Sequence, residues 1–139
     1  MVRQSSMILP ICANRRGLHD FTEKACAFVA QSAIEEGILT IFCRHTSASL
    51  VIQENTAPAA RRDLEAFFEH IAPEGPQYEH DDEGPDDMPA HLRSALTQTQ
   101  LSIPVRGGKP LLGTWQGIFL FEHRRNSPER EIALHIIGE

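Results

Sequence analysis

The densest gathering of chemically able side chains is Tyr78-Glu79-His80-Asp81-Asp82-Glu83-Gly84-Pro85-Asp86-Asp87-Met88-Pro89-Ala90-His91. Imidazole nitrogen and carboxylate oxygen are good ligands for zinc and other divalent ions. A carboxylate beside an imidazole serves proton transfer equally well. Asp87 and His91 are four residues apart, so a helix starting near Asp87 brings them toward one face. The spacing is not a standard zinc signature, and an acidic solvated loop with a chance histidine has the same composition.

Two further segments place polar groups where a plain core would not. His45-Thr46-Ser47-Ala48-Ser49, leading to Gln53-Glu54-Asn55, follows a hydrophobic run directly. Its hydroxyls, imidazole and amides can gather around an anion, or can bond their own backbone in an ordinary turn. Ile103-Pro104-Val105-Arg106-Gly107-Gly108-Lys109 and Gly113-Thr114-Trp115-Gln116-Gly117 pair a basic turn with a Trp-Gln step between glycines. Arg106 and Lys109 can hold phosphate, while a hairpin turn followed by a core tryptophan is the plainer alternative. The remaining histidines read as structural. His19 and His70 fall at helix ends, His135 lies in the last strand among apolar residues, and His123 reads as exposed beside Glu122, Arg124 and Arg125. There is no G-x-S-x-G elbow, no phosphate-binding Walker loop and no G-x-G-x-x-G.

The elements that must position these groups are legible in outline. Ser6 to Ile11 reads as a strand. Asp20 with Glu23 reads as a capping box opening a helix that carries Phe21, Ala25, Phe28, Val29 and Ala33, with Gly37 as its stop. Ile38 to Cys43 and Leu50 to Ile52 read as strands. Thr56 precedes Ala57-Pro58 and a second helix bearing Leu64, Phe67, Phe68 and Ile71, which Pro73 ends. Asp87 caps a third helix whose apolar stripe is Leu92, Ala95 and Leu96. The last third is β: Leu101 to Val105, a Gly107-Gly108 turn, Leu111 to Gly113, Thr114 to Glu122, a turn at Asn126 to Pro128, and Arg130 to Ile137. Helices and strands mix, and the final strands follow one another through short turns. The expected fold class is therefore α+β, a single domain over 1–139 with a mixed, mostly antiparallel sheet packed with about three helices. Between the second and third helices, Pro73 to Pro89 reads as a functional or flexible loop.

Composition narrows the function classes. The 139 residues are 41% hydrophobic and 23% charged, a balance that supports a packed core. A formal net charge of −6 argues against general nucleic-acid binding. Three cysteines, Cys12, Cys26 and Cys43, without C-x-x-C spacing and with Cys26 and Cys43 inside apolar runs, point to small buried thiols in a reducing compartment. With no apolar run of membrane-spanning length and no signal-peptide core, a cytoplasmic protein is expected.

Taken together, HTSASLVIQEN (His45 to Asn55), YEHDDEGPDDMPAH (Tyr78 to His91) and IPVRGGKPLLGTWQGIFLFEHR (Ile103 to Arg124) resemble the YjbQ family in order and spacing over nearly the whole chain. The resemblance implies a compact α+β fold, assembly as a homotrimer, and a site using His45, His80 and His91 with Asp86 or Asp87 nearby. Members of that family are often labelled secondary thiamine-phosphate synthases, which join a pyrimidine pyrophosphate to a thiazole phosphate with loss of pyrophosphate. Two places depart from the family pattern: Thr97-Gln98-Thr99-Gln100 lacks a glycine before the next strand, and Ala57-Pro58 stands where an acid-proline pair is expected.

The leading expectation is an enzyme acting on a phosphorylated small molecule, weakly thiamine-phosphate-synthase-like. His45, His80, His91 and Asp87 would be catalytic. His45, His80, His91 and Asp86 would hold a divalent ion, zinc or magnesium. Thr46, Ser47, Ser49, Glu54, Asn55, Arg106, Trp115 and Gln116 would contact the ligand. The alternatives are metal-assisted hydrolysis and a non-enzymatic oligomeric anion-binding protein.

Overall fold

A computed structural model describes residues 1–139. Eight strands and three helices follow the order β1 (Arg3–Ile11), β2 (Gly17–Asp20), α1 (Thr22–Ser32), β3 (Glu36–Cys43), β4 (Ala48–Glu54), α2 (Pro58–Ile71), α3 (Asp87–Leu96), β5 (Gln100–Arg106), β6 (Lys109–Pro110), β7 (Gln116–Glu122) and β8 (Arg130–Gly138). The class is α+β, as expected. The strands form two sheets, β1-β8-β3-β5-β6 and β2-β7-β4, and every strand pairing in both is antiparallel.

Alternation builds the larger sheet. In β5 the residues Leu101, Ile103 and Val105 face inward and their neighbours outward. The inner face meets Ala48, Leu50, Ile118 and Leu120 of the smaller sheet, and α1 closes the main core with Phe21, Ala25, Phe28 and Val29. β7 is different, because Gly117 to Glu122 are buried without interruption. Its odd and even residues serve two cores. Ile118 and Leu120 join the main one, and Phe119 and Phe121 meet Leu18 and Phe68 of α2 on the other side. A continuous apolar run is the sequence signature of a strand covered on both faces.

Several local expectations are corrected. Asp20 and Glu23 do not form a capping box, since Glu23 makes no bond back to Asp20 and the residue at the cap position, Phe21, has no side-chain bond to give. Instead Asp20 Oδ1 accepts the Thr22 N–H (2.8 Å) and hydroxyl (2.6 Å) in a turn that ends β2. The helix stops earlier than Gly37, at Ala33 in the left-handed region (φ 58°), where the Arg3 guanidinium donates to the Ala33 carbonyl at 2.8 Å. Gly37 belongs to β3, where it sits opposite Gly138. His19 lies in β2 rather than at a helix end. Leu111 to Gly113 forms no strand; the short β6 precedes it, joined to β5 by a turn with Gly107 and Gly108 at φ 61° and 72°.

α2 starts because the Glu54 carboxylate accepts the Thr56 and Ala57 N–H groups (2.8 and 2.7 Å) just before Pro58. Only Phe68 of its expected stripe is buried, whereas Phe67 and Ile71 are exposed. α3 is also turned from its expected orientation. Its buried face is Asp87, Pro89, Ala90 and Arg93, and Leu96 is exposed. No helix is long and apolar enough to cross a membrane.

Candidate functional site

α3 and the loop before it create the polar cluster. Asp86 precedes the helix and Asp87 is its first residue, so His91 follows one turn later on the same face. Asp87 Oδ2 lies 3.1 Å from His80 Nε2 and 3.2 Å from His91 Nε2. Glu83 Oε2 lies 3.0 Å from His80 Nε2. The ligand atoms of His80, Glu83, Asp87 and His91 all fall within 4.8 Å of one another. Asp87 is buried, His91 half-buried, and His80 and Glu83 exposed. The hydrogen bond that His80 donates to the Glu83 carboxylate, aided by the charges of Asp82 and Glu83 and a bond to Asp87, raises the His80 pKa above its ordinary value.

A single guanidinium braces this group. Arg124 Nη1 donates to Asp87 Oδ1 at 2.7 Å, and Nη2 donates to the Glu83 carbonyl at 2.9 Å. Its Nε lies 3.2 Å from Asp86 Oδ1 but off the line of its N–H, so that proton has no hydrogen-bond acceptor. Asp86 is not in the cluster. Its Oδ2 accepts the Arg125 N–H at 2.9 Å. Burial alone would raise its carboxyl pKa, but the Arg125 amide and Arg124 outweigh that and hold it low. Asp87 and Glu83, not Asp86, are therefore the carboxylates placed to ligate.

His45 lies outside the cluster. The Glu131 N–H donates to its Nε2 at 2.8 Å, and Arg130 Nη1 is 3.4 Å from its Nδ1. Both ring nitrogens face donors, so an ion there would have to displace an amide or a guanidinium. Burial, then the charge of Arg130, lowers its pKa and keeps the ring neutral. His45 nevertheless shares a wall with His91. Both line an open cavity of about 640 Å³, with Phe42, Arg44, Thr46 and Ser94 among the other lining residues. The three predicted imidazoles thus meet in pairs through His91. Its ring centroid is 5.8 Å from that of His80, and its side chain borders the cavity that His45 lines.

The other predicted ligand contacts separate into three places. Thr46 lines the cavity. Ser47 lends its carbonyl to Arg130 Nη2 (3.2 Å). Ser49 is fully buried, its hydroxyl 2.9 Å from His123 Nε2 and 2.5 Å from Thr97 Oγ1, so it faces no ligand space. Glu54, Asn55, Trp115 and Gln116 assemble at the far end of β4 and β7. There the Asn55 N–H donates to the Trp115 carbonyl (3.0 Å), and Gln116 Oε1 accepts the Gly113 N–H (2.8 Å). Arg106 pairs with Glu36 at the start of β3, while Cys43 at its other end leads to His45. Seven residue steps at about 3.3 Å each separate those ends by about 23 Å.

Beneath the site lies a polar interior that the chemistry-bearing residue types alone did not single out. Arg130 and Glu122 are buried, joined by Nε–Oε1 (2.7 Å) and Nη2–Oε2 (2.6 Å) contacts. His123, expected at the surface, is buried, and burial followed by Arg93 and Arg130 pushes its pKa down to about 3. Its neighbours Glu122, Arg124 and Arg125 all turn toward protein partners. The legible signal was the unbroken apolar run Ile118-Phe119-Leu120-Phe121, whose burial extends into the two polar residues that follow it.

The geometry fits a divalent ion. Four donors, two nitrogens and two carboxylates, suit zinc or a similar transition ion. Contacts of 3.0 to 3.2 Å between neighbouring donor atoms are close to the roughly 3.3 Å edge of a tetrahedron with bonds near 2.0 Å.

Residues 8–139 match the family model described as "UPF0047 protein YjbQ-like". A UPF0047 protein of Synechocystis sp. is 50% identical over 138 residues, covering 99% of this chain and 94% of that one. The UPF0047 protein YjbQ of Escherichia coli O157:H7 is 42% identical over 132 residues, covering 94% and 96%. Among solved structures, a protein of unknown function from Sulfolobus solfataricus P2 superposes with a TM-score of 0.85 at 28% identity, covering 100% of this chain and 99% of that one. An uncharacterised conserved protein from Clostridium acetobutylicum gives a TM-score of 0.82 at 29% identity, covering 95% and 98%.

Proposed function

The chain belongs to the UPF0047 YjbQ-like family, and from that membership and its site geometry we propose that it is a divalent-metal-dependent enzyme acting on a phosphorylated small molecule. One observation carries the reading: the His80, Glu83, Asp87 and His91 donor set lies beside a cavity of about 640 Å³, and His91 belongs to both. A bound ion would act as a Lewis acid on a phosphate oxygen. His91 marks where a ligand in the cavity meets the cluster. Arg44, Thr46 and Ser94 give the cavity a cation and hydroxyls for phosphate or hydroxyl groups, and Phe42 gives an apolar wall. His45, held at Nε2 by the Glu131 amide, shapes that wall.

Thiamine-phosphate-synthase-like transfer is the specific reaction within this reading. Support comes from a cavity with room for an organic substrate beside the cluster. Arg106 sits at the other end of the sheet from His45 and adds nothing to a pyrophosphate cradle within one chain. The same donor set would activate water for hydrolysis; there water attacks phosphorus, whereas in the transfer the thiazole nitrogen attacks the carbon bearing the pyrophosphate, which leaves.

Assembly as a homotrimer and residence in the cytoplasm belong to the same proposal. Self-association is supported by the apolar side chains Ile8, Ile38, Phe42 and Ile137, exposed on the outer face of the five-stranded sheet. The reducing compartment is supported by three free cysteines.

The test is metal analysis of the purified protein followed by turnover assays. The assays cover phosphate monoesters, and a pyrimidine pyrophosphate with a thiazole phosphate. Stoichiometric zinc-like metal together with metal-dependent turnover supports the reading. Metal or phosphate binding without turnover of any of these leaves a ligand-binding protein in its place.

A further inference from the structure

Arg124 lies just past the end of β7, with its backbone N–H on Glu122 Oε2 (3.0 Å). It is thereby tied to the buried Glu122–Arg130 pair. From that fixed origin the side chain reaches the cluster-bearing loop twice. Nη2 fixes the carbonyl of Glu83, and Nη1 fixes Oδ1 of Asp87. Both acidic members of the donor set are therefore held by one planar group that is itself held by the core. Asp87 has two oxygens with different partners: Oδ1 accepts the guanidinium at 2.7 Å, and Oδ2 lies 3.1 and 3.2 Å from the two imidazoles. A carboxylate so gripped can offer an ion only one oxygen.

That restriction discriminates between cations. Calcium takes six to eight oxygens and commonly a two-oxygen carboxylate, and magnesium wants six near-octahedral oxygens. Zinc-like ions accept four ligands, nitrogen among them. Resting on the metal-dependent reading above, we infer that Arg124 is a positioning residue that keeps Asp87 to single-oxygen ligation, so that the site selects a four-coordinate transition ion over magnesium or calcium. The charge of Arg124 acts in the same direction. It offsets one of the two carboxylates, lowering the pull on hard cations that bind by charge alone, while the imidazole nitrogens still favour zinc and cobalt.

The full-length chain is titrated with Co²⁺, whose visible absorption is intense in four-coordinate sites and weak in six-coordinate ones, and then competed with Zn²⁺ and Mg²⁺. Wild type is expected to bind one Co²⁺ with intense absorption and to release it to Zn²⁺ but not to Mg²⁺. Arg124→Gln frees Asp87 Oδ1, weakens Zn²⁺ binding about 10- to 100-fold, and shifts the Co²⁺ spectrum toward weak, higher-coordinate absorption. Arg124→Lys keeps a charge but cannot grip Glu83 and Asp87 together, so its spectrum moves the same way by less. Should the glutamine variant not fold, the lysine variant alone decides. A wild type that binds Co²⁺ with a spectrum and competition unchanged by either folded variant overturns the role of Arg124 and leaves the metal site standing. A wild type that binds no Co²⁺ removes the metal reading itself, and the inference with it.

Discussion

Glu122 and Arg130 face each other across the end of the β7–β8 connection as a two-pronged ion pair, with 0% and 2% of their surfaces reaching solvent. Arg130 also touches His45 and the Ser47 carbonyl, and Glu122 accepts the Arg124 amide. Replacing one member leaves the other charge buried and alone. Glu122→Gln should therefore cost about 3–5 kcal/mol of folding stability. Urea unfolding of the variant beside wild type measures this directly, and a loss under about 1 kcal/mol would mean that water or a rearranged partner neutralises Arg130.

Acid sensitivity should trace to His123. Burial holds its folded pKa at about 3, below the unfolded value of 6.5. Between those values the unfolded chain carries a proton that the folded chain refuses. Stability from this group is complete above the unfolded pKa and falls as pH drops toward 3, by up to about 1.4 kcal/mol per pH unit. His123→Gln should flatten the fall in stability expected between about pH 6.5 and about pH 3 in unfolding experiments. Equal slopes in the two proteins would assign the effect to other groups.

Removing one imidazole should empty the cluster without unfolding the chain, because His80 is exposed and His91 half-buried. His80→Ala and His91→Ala are expected to lower Zn²⁺ affinity at least about 100-fold, with near-unchanged circular dichroism. His45→Ala, which removes no donor of the set, should retain the ion. Calorimetric titration of the three variants checks the division, and loss of the ion in His45→Ala alone would contradict it.

Gly37 and Gly138 are direct partners across β3 and β8. A Cβ at Gly138 would stand 2.6 Å from Gly37 Cα and collide with the Glu36 carbonyl oxygen. The obstacle is backbone, which cannot step aside as a flexible side chain does. Gly138→Ala should cost about 1–3 kcal/mol, visible as a fall in Tm, whereas Gly107→Ala meets no neighbour within 4 Å and tests only the strain of its φ of 61°.

If the outer sheet face is the surface of self-association, a charge there should dissociate the assembly. Phe42 is 44% exposed and Ile38 50% exposed in the single chain. Phe42→Glu or Ile38→Asp is expected to convert a trimer into monomers in sedimentation experiments. A wild type that is already monomeric, or a variant that stays trimeric, removes that face from consideration.

The parts legible in the sequence are those where one physical signal acts alone. Alternation places Leu101, Ile103 and Val105 inward, and the short turns among the last strands give antiparallel pairing. The spacing of Asp87 and His91 puts them in contact on one helix, as the structure has them. Errors arise where polar groups are buried by pairing. Leu92, Ala95 and Leu96 look like the stripe of α3, yet the helix docks through Asp87 and Arg93, whose charges are met by Arg124 and the Ala72 carbonyl. His123 looks exposed because its neighbours are charged, yet Glu122 is buried on Arg130 and Arg124 reaches Asp87, and only the Arg125 side chain stays at the surface, on Glu74. β2, with the sequence Gly17-Leu18-His19-Asp20, carries little strand preference and exists because β7 offers it an edge. Arg106 and Trp115 share a polar character with the His45 segment, but strand direction sends them to the opposite end.

α3 is seated by bonds at both ends: Asp87 to Arg124 and His80 at the start, and Thr97 to Ser49 and Arg93 to the Ala72 carbonyl toward the finish. An oily face would let a helix slide by a residue at little cost, whereas each of these contacts is lost on any such slip. The helix is indexed like a toothed part, and His91 keeps one bearing on the cavity. Arg44, which lines the same cavity, is held by a half-exposed pair with Glu131 3.3 Å away, and such a contact opens at small cost, so the two sides of the cavity differ in how firmly their side chains are fixed.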